Sequence, residues 1–206
     1  MKLTTDTKKF IARSLFAGAM IGVGCMVYLA SESKALGAFL FSAGLFFVLT
    51  YGGVLFTGVC GLKTPWLRLL AVFGLNFLGI FLCGALAWPG TLPEAAAAVV
   101  LKKLAMSPIS WLTNGVLCGA MMYLGVIGFK KTTDGMLGVA SVLYAVPVFI
   151  LAWFEHSIAD MGYLAIALPK LAPLDALSMA GVILVVAVGN VIGAKAVRVL
   201  TTLGDQ

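Results

Sequence analysis

The chain has 206 residues, of which 62% are hydrophobic and only 11% charged, and its mean hydropathy is +1.09. Such a composition excludes a soluble globular domain, and apolar runs recurring from end to end indicate one polytopic membrane domain over residues 1–206. The net charge of +6 is no nucleic-acid signature, because the basic residues sit between apolar segments.

Six segments follow in chain order, at about residues 10–30, 35–56, 66–88, 109–129, 135–168 and 177–197. Most are close to the ~20 residues that an α-helix needs to cross hydrocarbon. The first is too long for the apolar region of a cleavable signal peptide. A Pro-, Gly- and Ala-rich link over 89–100 follows the third segment and ends at Lys102 and Lys103. Cys25, Cys60, Cys83 and Cys118 lie in or beside apolar segments without metal-ligand spacing, and read as small buried residues.

The fifth segment is interrupted. An apolar run from Gly135 to Trp153 meets Glu155, His156 (the chain's only histidine) and Asp160, before a shorter apolar run from Tyr163 to Leu168. Ionisable residues at membrane depth are costly and mark functional sites, and non-helical backbone survives there only inside protein or along a cavity. A single histidine satisfied by helix packing is the bland alternative, and the clustering of charge weighs against it.

The two halves resemble one another. Gly18-x-x-x-Gly22 in the first segment recurs as Gly115-x-x-x-Gly119 in the fourth, and Asn76-Phe77-Leu78-Gly79 in the third as Asn190-Val191-Ile192-Gly193 in the sixth. Carried along the chain, this pairing sets Thr57 near the counterpart of His156. Three spans per half predict an inverted repeat, about 10–88 and 109–198, with a second interruption at Gly52-Gly53-Val54-Leu55-Phe56-Thr57-Gly58. Helix packing alone also uses GxxxG. Two facing interruptions would aim free N–H groups and the positive ends of half-helix dipoles at one point, which suits an anion.

Orientation follows from Lys and Arg in the short loops. Lys2, Lys8, Lys9, Arg13, Lys63, Arg68, Lys130, Lys131, Lys195 and Arg198 fall on one side; Lys34, Lys102, Lys103 and Lys170 fall on the other. This asymmetry places both termini in the cytoplasm.

Several of these stretches resemble the formate/nitrite transporter family. Phe154-Glu155-His156-Ser157-Ile158-Ala159-Asp160-Met161 is similar to its FEHSVANM motif, with Asp160 in place of Asn. Leu55-Phe56-Thr57-Gly58 resembles its LFTG motif, Phe41-Ser42-Ala43-Gly44-Leu45 its FSLGL run, and Gly189-Asn190-Val191-Ile192-Gly193 its GNIIG ending. Lys102-Lys103-Leu104 with Ser107-Pro108 resembles the lysine-bearing link before its fourth helix. The chain departs from the family at Gly119, usually Asn, at Val54, usually acidic, and in a shortened stretch between Thr57 and Asn76.

The resemblance implies an all-α membrane protein of aquaporin-like fold, with six transmembrane helices in two inverted three-helix repeats and helices 2 and 5 broken. It implies a homopentamer in the lipid membrane with one pore per protomer, in the bacterial inner membrane. The implied substrates are small monovalent anions such as formate, nitrite, hydrosulfide or lactate, with no cofactor, metal or nucleic acid. By position, His156 is the central pore histidine, Thr57 its hydrogen-bond partner and Lys103 the vestibule lysine. Phe41, Leu45, Leu55 and Phe149 fall on the apolar constrictions. Glu155 reads as a structural partner beside the histidine, and Gly119 and Asn190 as pore or packing positions.

Physically, a naked anion faces a large desolvation cost in a narrow apolar pore. A lysine at the mouth raises its local concentration. A buried histidine with Thr57 then offers a hydrogen bond or a proton at the midpoint. A membrane-embedded enzyme using Glu155 and His156 as acid and base is the competing class, and a non-transporting structural protein a third. The sequence shows no nucleophile–base pair for the former.

Overall fold

The computed structural model describes residues 4–203, and its regular elements are all helices. Lys2 lies outside the described residues. Helix α1 (Thr5–Ala30) begins on Thr4, whose hydroxyl accepts from the Thr7 N–H, and α2 (Lys34–Thr50) begins in the same way on Ser33. Such caps satisfy N–H groups that have no partner inside the helix. The chain leaves helix at Tyr51, turns through Gly52 at φ 67° and resumes as α3 (Phe56–Val59). Then come α4 (Trp66–Ala85), α5 (Leu92–Leu104) and α6 (Pro108–Lys131). Helix α7 (Gly135–Leu151) is capped by Asp134, which accepts from two N–H groups. After a second interruption follow α8 (Ser157–Ala167), a 3-10 turn at Leu168–Lys170, and α9 (Pro173–Leu203).

By length and apolarity α1, α4, α6 and α9 are long enough to cross a membrane. Helices α2 and α7 are apolar and have 17 residues each. The large apolar side chains left outside, such as Leu67, Leu70 and Leu82 on α4 and Leu184 and Val188 on α9, face away from the core.

The Pro-, Gly- and Ala-rich link over 89–100 is largely helical. Its alanines are the best helix formers, and Pro93 in the first turn lacks only an N–H that would go unpaired there. Glu94 in the first turn and Lys102 and Lys103 in the last complement the helix dipole. Helix α5 buries Pro93, Ala96, Ala97 and Val100 and packs against α8.

Close crossings hold α1 to α4 and α6 to α9. A Cβ added to Gly18 would overlap the backbone of Asn76, and one on Gly79 that of Leu15. Across the other pair, Gly119 lies on Asn190 and Gly193 on Val116 in the same way. The pairing of Gly18 with Gly115 is therefore displaced by one turn: the residue that matches Gly18 is Gly119. Glycines one turn apart lie on one helix face, so sequence spacing alone does not choose between them.

Candidate functional site

Two asparagines anchor the interruptions by identical bonding. Asn76 Nδ2 donates to the carbonyls of Ser14 (2.8 Å) and Val54 (2.9 Å), and its Oδ1 accepts from the Phe56 N–H (2.8 Å). Asn190 Nδ2 donates to the carbonyls of Gly115 (2.8 Å) and Glu155 (2.9 Å), and its Oδ1 accepts from the Ser157 N–H (3.0 Å). Both asparagines are fully buried, and buried non-helical backbone needs such partners. Val54 N–H also donates to the Arg13 carbonyl, and Glu155 N–H to that of Asn114, each at 3.1 Å.

These bonds fix the correspondence between the interruptions. Val54 matches Glu155 and Phe56 matches Ser157, so the counterpart of His156 is Leu55, not Thr57. The bonds also revise the expectation of free N–H groups converging on an anion. The first N–H of each short helix is taken by an asparagine, and α3 is a single turn.

His156 caps α8. Its Nδ1 accepts from the Ala159 N–H at 2.9 Å, and its Nε2 lies 2.9 Å from Thr57 Oγ1. An Nδ1 that accepts a hydrogen bond carries no proton, so the network assigns the neutral ring with its hydrogen on Nε2, donating to Thr57. That leaves the Thr57 O–H to donate elsewhere. The imidazole stacks on Phe149 at 5.4 Å and 14°, and Phe149 meets Phe41 edge-on at 6.4 Å. Leu45, one turn beyond Phe41, and Leu55 are buried and do not line the cavity next described.

That cavity, of about 350 Å³, opens beside the imidazole. Phe41, Phe149 and Ala159 give it apolar walls, and His156, Glu155, Asp160 and Lys103 gather along it. Lys34 and Lys102 line it as well. Lys34 sits over the Tyr28 ring, and Lys102 lies 3.5 Å from the Trp153 ring centroid. Trp153 has φ 60°, a left-handed backbone that costs a bulky residue energy.

Lys103 does not stand free in a vestibule. Its ammonium bonds the Glu155 carboxylate and lies 3.0 Å from Asp160 Oδ1. The Asp160 contact is an ion pair, and Asp160 Oδ2 has no hydrogen-bond partner among the described residues. One ammonium thus faces two buried carboxylates.

The sequence model of the formate/nitrite transporter family matches residues 1–203. The chain belongs to that family. No curated protein matches it closely enough to count as a relative. Among solved structures, a pentameric formate channel with formate bound superposes with a TM-score of 0.83 at 20% identity, covering 99% of both chains. An FNT family ion channel superposes with a TM-score of 0.84 at 19% identity, covering 96% of this chain and 90% of that one. At such identity the likeness is one of fold.

The structure brings together His156, Thr57, Glu155, Lys103, Phe41 and Phe149, with Asn190 and Gly119 in the scaffold behind them. Sequence reading left three contributors without a role. Asn76 is the first-half equivalent of Asn190, and its recurring Asn-x-x-Gly pattern was the available signal. Asp160 was visible as a departure from the family motif, but its place beside Lys103 was not. Nothing in the sequence marked Trp153.

Proposed function

We propose that this protein is a membrane channel for the small monovalent anions of weak acids, the formate class among them. The observation that carries this reading is the neutral imidazole of His156, donating toward Thr57 and walled by Phe149 and Phe41 at the end of a cavity. A narrow apolar passage rejects charge, because desolvating an ion is expensive. A fixed donor at its centre returns part of the lost hydration, and the ring cannot gain a second proton without giving up its cap on α8. Lys34 and Lys102 supply positive charge that draws anions toward the mouth.

The same reading makes the fold six spans in two inverted three-helix repeats, with α2–α3 and α7–α8 as the broken helices. The matched bonding of Asn76 and Asn190, and of Val54 and Glu155, supports the repeat. The Lys and Arg asymmetry supports cytoplasmic termini in an inner membrane. The pentameric formate channel of the same fold supports a homopentamer with one pore per protomer. Purified protein in liposomes is expected to pass formate down its gradient, with nitrite, hydrosulfide and lactate compared in the same assay. Vesicles that remain impermeable to all four, with the protein folded and inserted, would remove this reading.

A further inference from the structure

Helices α2 and α7 end in the same backbone motif. After α2, the Gly52 N–H donates to the Leu49 carbonyl at 3.3 Å and the Gly53 N–H to that of Val48 at 2.7 Å. After α7, the Trp153 N–H donates to the Ile150 carbonyl at 3.2 Å and the Phe154 N–H to that of Phe149 at 2.9 Å. This pair of bonds closes a helix when the residue past its last turn is left-handed, a place that glycine fills without steric cost. The first interruption has Gly52 there, at φ 67°. The second has Trp153, at φ 60°, the one non-glycine residue with positive φ among the described residues. A bulky side chain in that conformation is strained, and strained residues gather at ligand sites. Core burial does not account for the ring, because Trp153 is 56% exposed.

The ring stands at the open end of the cavity. His156, Phe41 and Phe149 line the cavity as buried residues, whereas Trp153, Lys102 and Lys34 line it as exposed ones. Lys102 reaches over from α5 and sets its ammonium 3.5 Å from the Trp153 ring centroid, an attraction between cation and aromatic face. The left-handed backbone fixes the root of the side chain, and the ammonium holds the ring. Behind it lie about 350 Å³, against about 30 Å³ for one water in the liquid, so the cavity has room for an anion several times larger than formate. Val99, Met106 and Ile150 add apolar wall. A chamber of that size, largely apolar and edged by lysines, suits an apolar organic anion, and one lodged there would block the way to His156.

We propose that Trp153, held by Lys102, is an exclusion rim that keeps bulky apolar anions out of the cavity and leaves small anions free to enter. The ring acts by filling space at the mouth, which explains why a tryptophan stands where the matching position of the first half has glycine. The rim needs only the cavity; its consequence for transport rests on the channel reading.

Two measurements separate them, with benzenesulfonate as the probe, a flat apolar anion that stays charged and does not cross lipid unaided. Calorimetric titration of the intact oligomer in detergent should show binding to Trp153→Gly and none to the unsubstituted protein. Equal affinity of the two, or no binding to either, would overturn the rim. Formate uptake into liposomes is then measured with and without benzenesulfonate on both sides of the membrane, each protein against its own uptake without it. Trp153→Gly should lose about tenfold or more, since burying one aromatic ring is worth at least that factor, and the unsubstituted protein should lose little. Equal loss in both, or loss in neither, would overturn the role in transport. No formate flux in either protein would sink the channel reading and leave the calorimetry to decide the rim. If Trp153→Gly does not assemble, Trp153→Asn, which also tolerates positive φ, carries the same expectations.

Discussion

At the scale of single residues, the polar character of the cavity comes from few side chains, His156 and the cluster of Lys103, Glu155 and Asp160. His156 serves both as donor to Thr57 and as the cap of α8, so its two roles separate by substitution. Asparagine caps helices well and alanine does not. His156→Ala should therefore cost about 1 kcal/mol of stability, against a few tenths for His156→Asn, while both lower formate flux. Thermal melting in detergent beside liposome uptake checks this, and equal melting losses would deny the capping role. Lys103→Met leaves two buried carboxylates with no counter-charge, and should destabilise by about 3–5 kcal/mol. Adding Glu155→Gln and Asp160→Asn should recover most of that loss, because the penalty belongs to the orphaned charges. Failure of the triple variant to recover would mean that the lysine acts through packing of its stem.

At the scale of elements, the two interruptions share one backbone design and differ in the side chains they present. Gly52 at φ 67° and Trp153 at φ 60° occupy matching positions, as do Val54 and Glu155, and Leu55 and His156. The first interruption offers apolar groups where the second offers a carboxylate and an imidazole, so the ionisable side chains sit at one of the two. The asparagines hold both. Asn76→Ala or Asn190→Ala removes three hydrogen bonds and orphans one N–H and one carbonyl of the interruption (Phe56 and Val54, or Ser157 and Glu155), at about 1–3 kcal/mol for each unsatisfied group. Both variants should lose the assembled protein, measured as yield of intact oligomer. A normal yield for Asn76→Ala would show that the first interruption finds other partners. Gly119→Val would separate α6 from α9 at Asn190 and disturb the anchor indirectly.

At the scale of the whole molecule, apolar side chains cover the outer faces of the long helices, where lipid or neighbouring copies must meet them. Mass measurement in mild detergent is expected to give five copies, and a monomer that still conducts formate would overturn the pentamer. One surface pair tests the pH response outside the spans. Lys170 hydrogen-bonds Glu94 at 2.7 Å and holds its carboxyl below the usual range. A depressed value means that the pair contributes above the unfolded pKa of about 4.3 and is lost as pH falls through the folded value. The pair is exposed, so Glu94→Gln should leave melting almost unchanged at neutral pH and reduce only the acid sensitivity of this end of α5.

The sequence by itself determined the apolar segments, the two places where helix gives way, and the residues gathered at the second of them. Hydropathy is summed over neighbours in the chain, and glycine, proline and adjacent charges mark interruptions locally, so these features need no partner to be visible. Only the tertiary structure decided the register between the halves, since glycines one turn apart share a face and the asparagine bonds choose between them. It also decided that the alanine-rich link is a helix delivering Lys103 to Glu155 and Asp160, residues more than fifty positions away in sequence. Whether a lysine meets an anion or two carboxylates depends on what lies opposite it in space, and no local pattern encodes that.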